Sequence, residues 1–178
     1  MAFLAWLSGS PVGEWVSGST WAYPSLLFVH TLGLGVLVGL NSAIGLRLLG
    51  FAPSVPVAAM EPLFPYMWAG FWVNAVSGSV LFIADAPKKA ANPSFIVKLV
   101  LIGLAVVVMR KLKRHAFPIA ENLNASNPSN LSNPSNLSNP SNPSVVTGRA
   151  RMLAAMSLLL WAGAITAGRL MAYTAALR

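Results

Sequence analysis

Four stretches of mostly apolar residues, at about 21–49, 63–84, 94–113 and 152–173, lie within a chain of 178 residues. A helix needs about 20 such residues to cross the roughly 30 Å of hydrocarbon in a bilayer. One such stretch could be a core helix of a water-soluble domain. Four of them, in a chain with only 9% charged and 56% hydrophobic residues, could not all be buried in a domain of this size. The mean hydropathy of +0.65 agrees. The sequence therefore predicts an all-α fold: an integral membrane antiparallel four-helix bundle, one transmembrane domain over residues 1–178, in the lipid bilayer.

Cations set the expected orientation. The formal net charge is +8, but the charge is not spread over a soluble face as nucleic-acid binding would need. Arg110, Lys111, Lys113, Arg114, Arg149 and Arg151 flank the third and fourth apolar segments. Such clusters mark cytoplasmic loops beside anionic lipid headgroups. With Arg47, the inside loops carry seven cations, against Lys88, Lys89, Arg169 and Arg178 outside. The expectation is a multi-pass protein of the cell inner membrane with both termini periplasmic and the 110–151 loop cytoplasmic. Met1–Gly18 lacks a basic start and makes a poor signal peptide. Ala2–Leu7, with Phe3, Leu4, Trp6 and Leu7, reads as a short N-terminal interfacial helix.

Residues 124–144 repeat a six-residue Leu-Ser-Asn-Pro-Ser-Asn unit. Such residues bury too little apolar surface to offset their ordering entropy, so this loop is expected to be a disordered linker.

In lipid, helices are joined by close packing at small residues and by hydrogen bonds between polar ones. Gly35 and Gly39, four apart in the first span, are expected to share a packing face, with Gly70, Ser77 and Gly78 in the second span. Asn74 is expected to bond between helices. Gly163 and Gly168 mark the fourth span. Trp21, Tyr23, Tyr66 and Tyr173 stand where interfacial anchors belong.

Ionisable residues inside spans are costly and are therefore candidates for function. His30, Asp85, Lys98 and Arg169 all fall in the outer half of the membrane in this topology. Asp85 could neutralise Arg169 as a structural clamp, and Lys98 could snorkel to the headgroups. Asn41 lies eleven residues after His30, about three turns, and so shares its face.

Cofactor sites find little material. Haem b held by two histidines would need His30 and His115, which this topology separates by roughly 24 Å along the axis. A His30/Met171 pair remains geometrically open. Copper would suit Met and His, but the methionines are scattered and read as gap-fillers. There is no Cys, which excludes disulfides and thiolate ligands. No G-x-S-x-G, H-E-x-x-H or P-loop occurs. The expectation is no enzyme, no catalytic residue and no resident metal.

Several strings resemble a family of small bacterial inner-membrane proteins known only as a domain of unknown function. They are Trp21-Ala-Tyr-Pro-Ser, His30-Thr-Leu-Gly, Gly45-Leu-Arg-Leu-Leu-Gly50, Gly78–Ala84 with Asp85 and Ala86, Phe95-Ile-Val-Lys98-Leu-Val-Leu, and Trp161–Tyr173 with its Gly168-Arg169-Leu-Met-Ala-Tyr ending. The resemblance covers the chain except for the Asn/Pro/Ser loop. It departs at Gly45, where that family carries an acid, and at Phe28 and Val29, near which the family carries another. It implies location and four-span architecture but no chemistry. The leading expectation is a structural or accessory membrane subunit, with a membrane-protein partner or a second copy as its associate. The alternative is a cofactor-binding or ion-handling protein centred on His30 and Arg169.

Overall fold

The structure is a computed structural model that describes residues 2–117 and 148–176. The expected disordered loop at 124–144 lies outside the described residues. Those described form helices and connections, with no strand among them. Helix α1 is Ala2–Ser8, α2 is Pro11–Gly18, α3 is Ala22–Leu49, α4 is Leu63–Ile83, α5 is Ala86–Ala90, α6 is Pro93–Ala116 and α7 is Gly148–Ala176. A 3-10 turn, Val57–Met60, precedes α4.

Three of these helices are long and apolar enough to cross a membrane: α3, α4 and the Gly148–Met171 part of α7. The expected third span, α6, does not join them. Lys98 interrupts it near its start and a basic run begins at Arg110, so its uncharged stretch is Leu99–Met109.

The long helices run antiparallel in chain order. α3 packs most closely on α4 and α6 on α7, and α3 against α7 joins the two pairs. α4 and α6 meet through large side chains at both ends. Phe82 stacks on Phe95 with centroids 5.1 Å apart, and Phe64 meets Phe117 edge-on at 5.3 Å. The core holds Leu37, Ile44, Leu48, Phe64, Met67, Met109, Leu112 and Trp161. Outward faces are apolar as well: Phe28, Trp72, Val76, Val100, Leu104 and Leu159 are all exposed. Helices that are apolar all round belong in lipid rather than water. Trp21, Tyr23 and Tyr66 are exposed near helix ends.

The N-terminal segment is two helices rather than one. Pro11 occupies the first turn of α2, where its missing N–H costs nothing, and Ser10 caps that turn by accepting from the Gly13 N–H at 3.3 Å. The corner is so tight that a Cβ at Gly13 would sit 2.2 Å from the Ser8 carbonyl oxygen. α2 packs on α3 and α4 through the buried Val16, while Phe3 and Trp6 of α1 stay exposed. At the other end of α3, Gly50 takes φ +108°, a conformation that costs glycine little, and closes the helix by donating to the Arg47 carbonyl at 3.1 Å.

Candidate functional site

The α3–α4 contact is built on glycine. A Cβ at Gly33 would lie 2.9 Å from the Asn74 backbone nitrogen, and one at Gly70 would lie 3.0 Å from the Gly33 carbonyl oxygen. The two backbones therefore touch. Gly78 leaves room for the His30 ring, whose Cε1 would stand 2.8 Å from a Cβ there.

Into this seam His30 and Asn74 send reciprocal bonds. His30 Nδ1 lies 2.9 Å from the Asn74 carbonyl oxygen and 3.1 Å from Ser77 Oγ. A carbonyl only accepts, so Nδ1 carries the proton. Asn74 Nδ2 donates to the His30 carbonyl at 2.8 Å and approaches His30 Nε2 at 3.4 Å. Ser77 Oγ donates to the Val73 carbonyl at 2.6 Å, which frees its lone pairs for the imidazole. Both ring nitrogens thus face partners on α4, and Nε2 has the Asn74 amide where a metal ligand would need open space.

A second polar contact joins α3 to α7. Ser157 Oγ donates to Asn41 Oδ1 at 2.9 Å with both residues buried. Asn41 Nδ2 and the neighbouring buried Trp161 Nε1 have no acceptor among the described residues. His115 Nδ1 bonds within its own turn, to the Lys111 carbonyl at 2.9 Å, at the opposite end of the bundle from His30.

The four outer candidates do not form one cluster. Asp85 pairs with the exposed Lys88 at 3.8 Å just after α4. Arg169 is exposed on α7 and forms no ion pair with Asp85, which corrects the expected clamp. The helical register explains this: Lys88 lies three residues from Asp85, whereas Arg169 points away from the bundle. Lys98 is half-buried and its stem crosses Gly168, where a Cβ would lie 3.5 Å from Nζ. Lys89, which the sequence analysis did not single out, donates to the Leu81 carbonyl and holds its ammonium 5.9 Å from the Tyr23 ring centroid. Burial pushes the Lys89 amine below the usual lysine range; nearby Asp85 opposes that shift and Lys98 adds to it.

Gly35 and Gly39 face open space, with nothing within 4 Å of an added Cβ. The expected packing role falls to Gly33 instead. Among the described residues no group of three or more His, Asp or Glu stands together.

At the opposite end several cations are spent inside the fold. Arg47 donates from Nε to the Val55 carbonyl and from Nη2 to that of Pro53 at 3.2 Å, fixing the turn after α3. Arg110 lies over Trp68 at 5.3 Å and Lys113 over Phe64 at 5.7 Å. No protein-family model, curated protein or solved structure matches this chain.

Proposed function

We propose that the chain is a four-span inner-membrane protein that serves as a structural or accessory subunit and carries no chemistry of its own. The observation that carries this reading is the His30–Asn74–Ser77 seam. In a helix surrounded by lipid, a histidine is the residue best suited to hold a cofactor, yet this one is occupied in binding α3 to α4.

The apolar outer face of α6, with Ile96, Val97, Val100, Leu104 and Val107 exposed, supports counting it as the fourth span. Lys111, Arg114, Arg149 and Arg151, all exposed, supply a basic rim suited to anionic headgroups. That rim supports a cytoplasmic 110–151 loop and periplasmic termini. The resemblance to bacterial inner-membrane proteins of unassigned activity fits the same picture.

The test is the absorption spectrum and metal content of protein purified from its own membranes. The expected result is no Soret band and no stoichiometric copper. Either one, lost in His30→Gln, would replace this reading with the cofactor-binding alternative.

A further inference from the structure

We infer that the α3–α7 contact holds one buried water molecule, whose oxygen is shared between Asn41 Nδ2 and Trp161 Nε1. The site stands apart from the subunit role. Asn41 and Trp161 are each 2% exposed, and both of these N–H donors lack an acceptor among the described residues. One bond fixes where they stand: Ser157 Oγ donates to Asn41 Oδ1 at 2.9 Å, so the Asn41 amide sits against Ser157. Trp161 is one turn further along α7, on the same buried face as Ser157. A long side chain on a helix leans back toward the N-terminus, over the residue four before it, and for Trp161 that residue is Ser157. Amide and indole therefore meet one small region of the core from two helices. Trp161 stands about 20 Å along the axis from Gly148, so this region is the middle of α7 and not a solvated end.

An amide N–H and an indole N–H can only donate, and within a span no bulk water satisfies a donor that finds no partner. Each therefore calls for an acceptor, and the surroundings narrow what that acceptor is. Both donors are neutral. α3 carries no ionisable residue between His30 and Arg47, and α7 carries none between Arg151 and Arg169. An anion there would give up its hydration with no cation to answer it. Asn41, Ser157 and Trp161 are all at most 2% exposed, which leaves no open face for a larger ligand to lie on. A small neutral acceptor remains, and water balances the bonding as well. It accepts from the two donors, and its own hydrogens meet the lone pairs still free on Asn41 Oδ1 and Ser157 Oγ. Buried waters make about three such bonds, which these partners can supply.

The experiment uses the full nitrogen-labelled chain in detergent micelles, with NMR transfer of magnetisation from water to indole and side-chain amide protons. Trp161→Phe identifies the Trp161 resonance by its loss, and sequence-specific assignment gives Asn41. Trp72, exposed midway along α4, faces detergent and serves as the dry reference. Trp21, exposed at the start of α3, serves as the wet one. The expected result is transfer from water to both the Trp161 indole and the Asn41 amide, and none to Trp72. Asn41→Leu should abolish the transfer to Trp161 while the Trp68 and Trp72 resonances keep their positions, which shows that the variant is folded. If Asn41→Leu does not fold, the unmodified chain still decides, because one shared water must reach both groups. The proposal is overturned if the Trp161 indole receives no magnetisation from water, if only one of the two groups receives it, or if the transfer to Trp161 persists undiminished in Asn41→Leu.

Discussion

His30 and Asn74 bind each other's backbones: Asn74 Nδ2 donates to the His30 carbonyl at 2.8 Å, and His30 Nδ1 donates to the Asn74 carbonyl at 2.9 Å. Each side chain thereby donates to a carbonyl on the facing helix. In lipid, where an unmade bond has no water to fall back on, this reciprocity lets two polar residues sit within spans.

The first expectation follows from that reciprocity. His30→Ala and Asn74→Ala should each destabilise the bundle by about 0.6–1.7 kcal/mol, the range measured for single interhelical bonds in a membrane protein. The two effects should nearly add, because each strong bond ends on the partner's backbone, which survives substitution of the partner's side chain. Melting of the two single variants and the double variant in detergent measures this. A large coupling energy would mean that the side chains act chiefly on each other.

Glycines offer a sharper contrast. Gly33→Ala should destabilise by about 1–3 kcal/mol, because the new methyl meets the backbone of α4 and neither helix can yield without separating. Gly35→Ala, two residues along the same helix, should be neutral or stabilising by up to about 1 kcal/mol, since alanine favours helix and the site is open. Equal effects in a melting experiment would refute the α3–α4 seam.

That contrast also shows what the sequence could reveal. The long helices were legible because an apolar run of span length has few other outcomes. The packing face of α3 was legible too, but through its polar residues. His30, Gly33, Leu37, Asn41, Ile44 and Leu48 recur at steps of three and four, and that stripe faces the protein. Gly35 and Gly39 are also four apart, but they lie off the stripe. Small residues are permissive on any face, whereas an imidazole or amide must find a partner, so the polar stripe was the stronger signal. Ser157 and Lys89 were not legible. A serine in a span can bond within its own helix, and a lysine in a turn is ordinarily solvated, so only the fold discloses their partners. The sequence expectation also paired Asp85 with Arg169, treating depth in the membrane as proximity. Two residues at one depth can still stand on different faces of the bundle.

The Asn41–Ser157 contact predicts an asymmetry. Ser157→Ala should cost about 1–3 kcal/mol, because it removes the donor to Asn41 Oδ1 and leaves a buried amide unpaired. Asn41→Leu combined with Ser157→Ala should cost less than Ser157→Ala alone, since an apolar pair leaves no polar atom stranded in the core. Thermal melting of the two variants checks this. A double variant less stable than Ser157→Ala would show that the amide makes a contribution beyond this bond.

Orientation is open to a direct test. A reporter fused at residue 133 should be active if its enzyme works in the cytoplasm and silent if it needs the periplasm, because the proposed topology puts the basic rim inside. Activity of the periplasmic reporter would invert the topology.

The central claim is that His30 is a helix clasp and not a ligand, and its protonation geometry tests this most directly. The chain has two histidines, and His115 is exposed. Nitrogen NMR of histidine-labelled protein can therefore separate them. The structure predicts His30 as a neutral ring with its proton on Nδ1 and a bare Nε2 facing the Asn74 amide. A proton on Nε2 with Nδ1 bare, or a resonance displaced by a bound metal, would contradict the account.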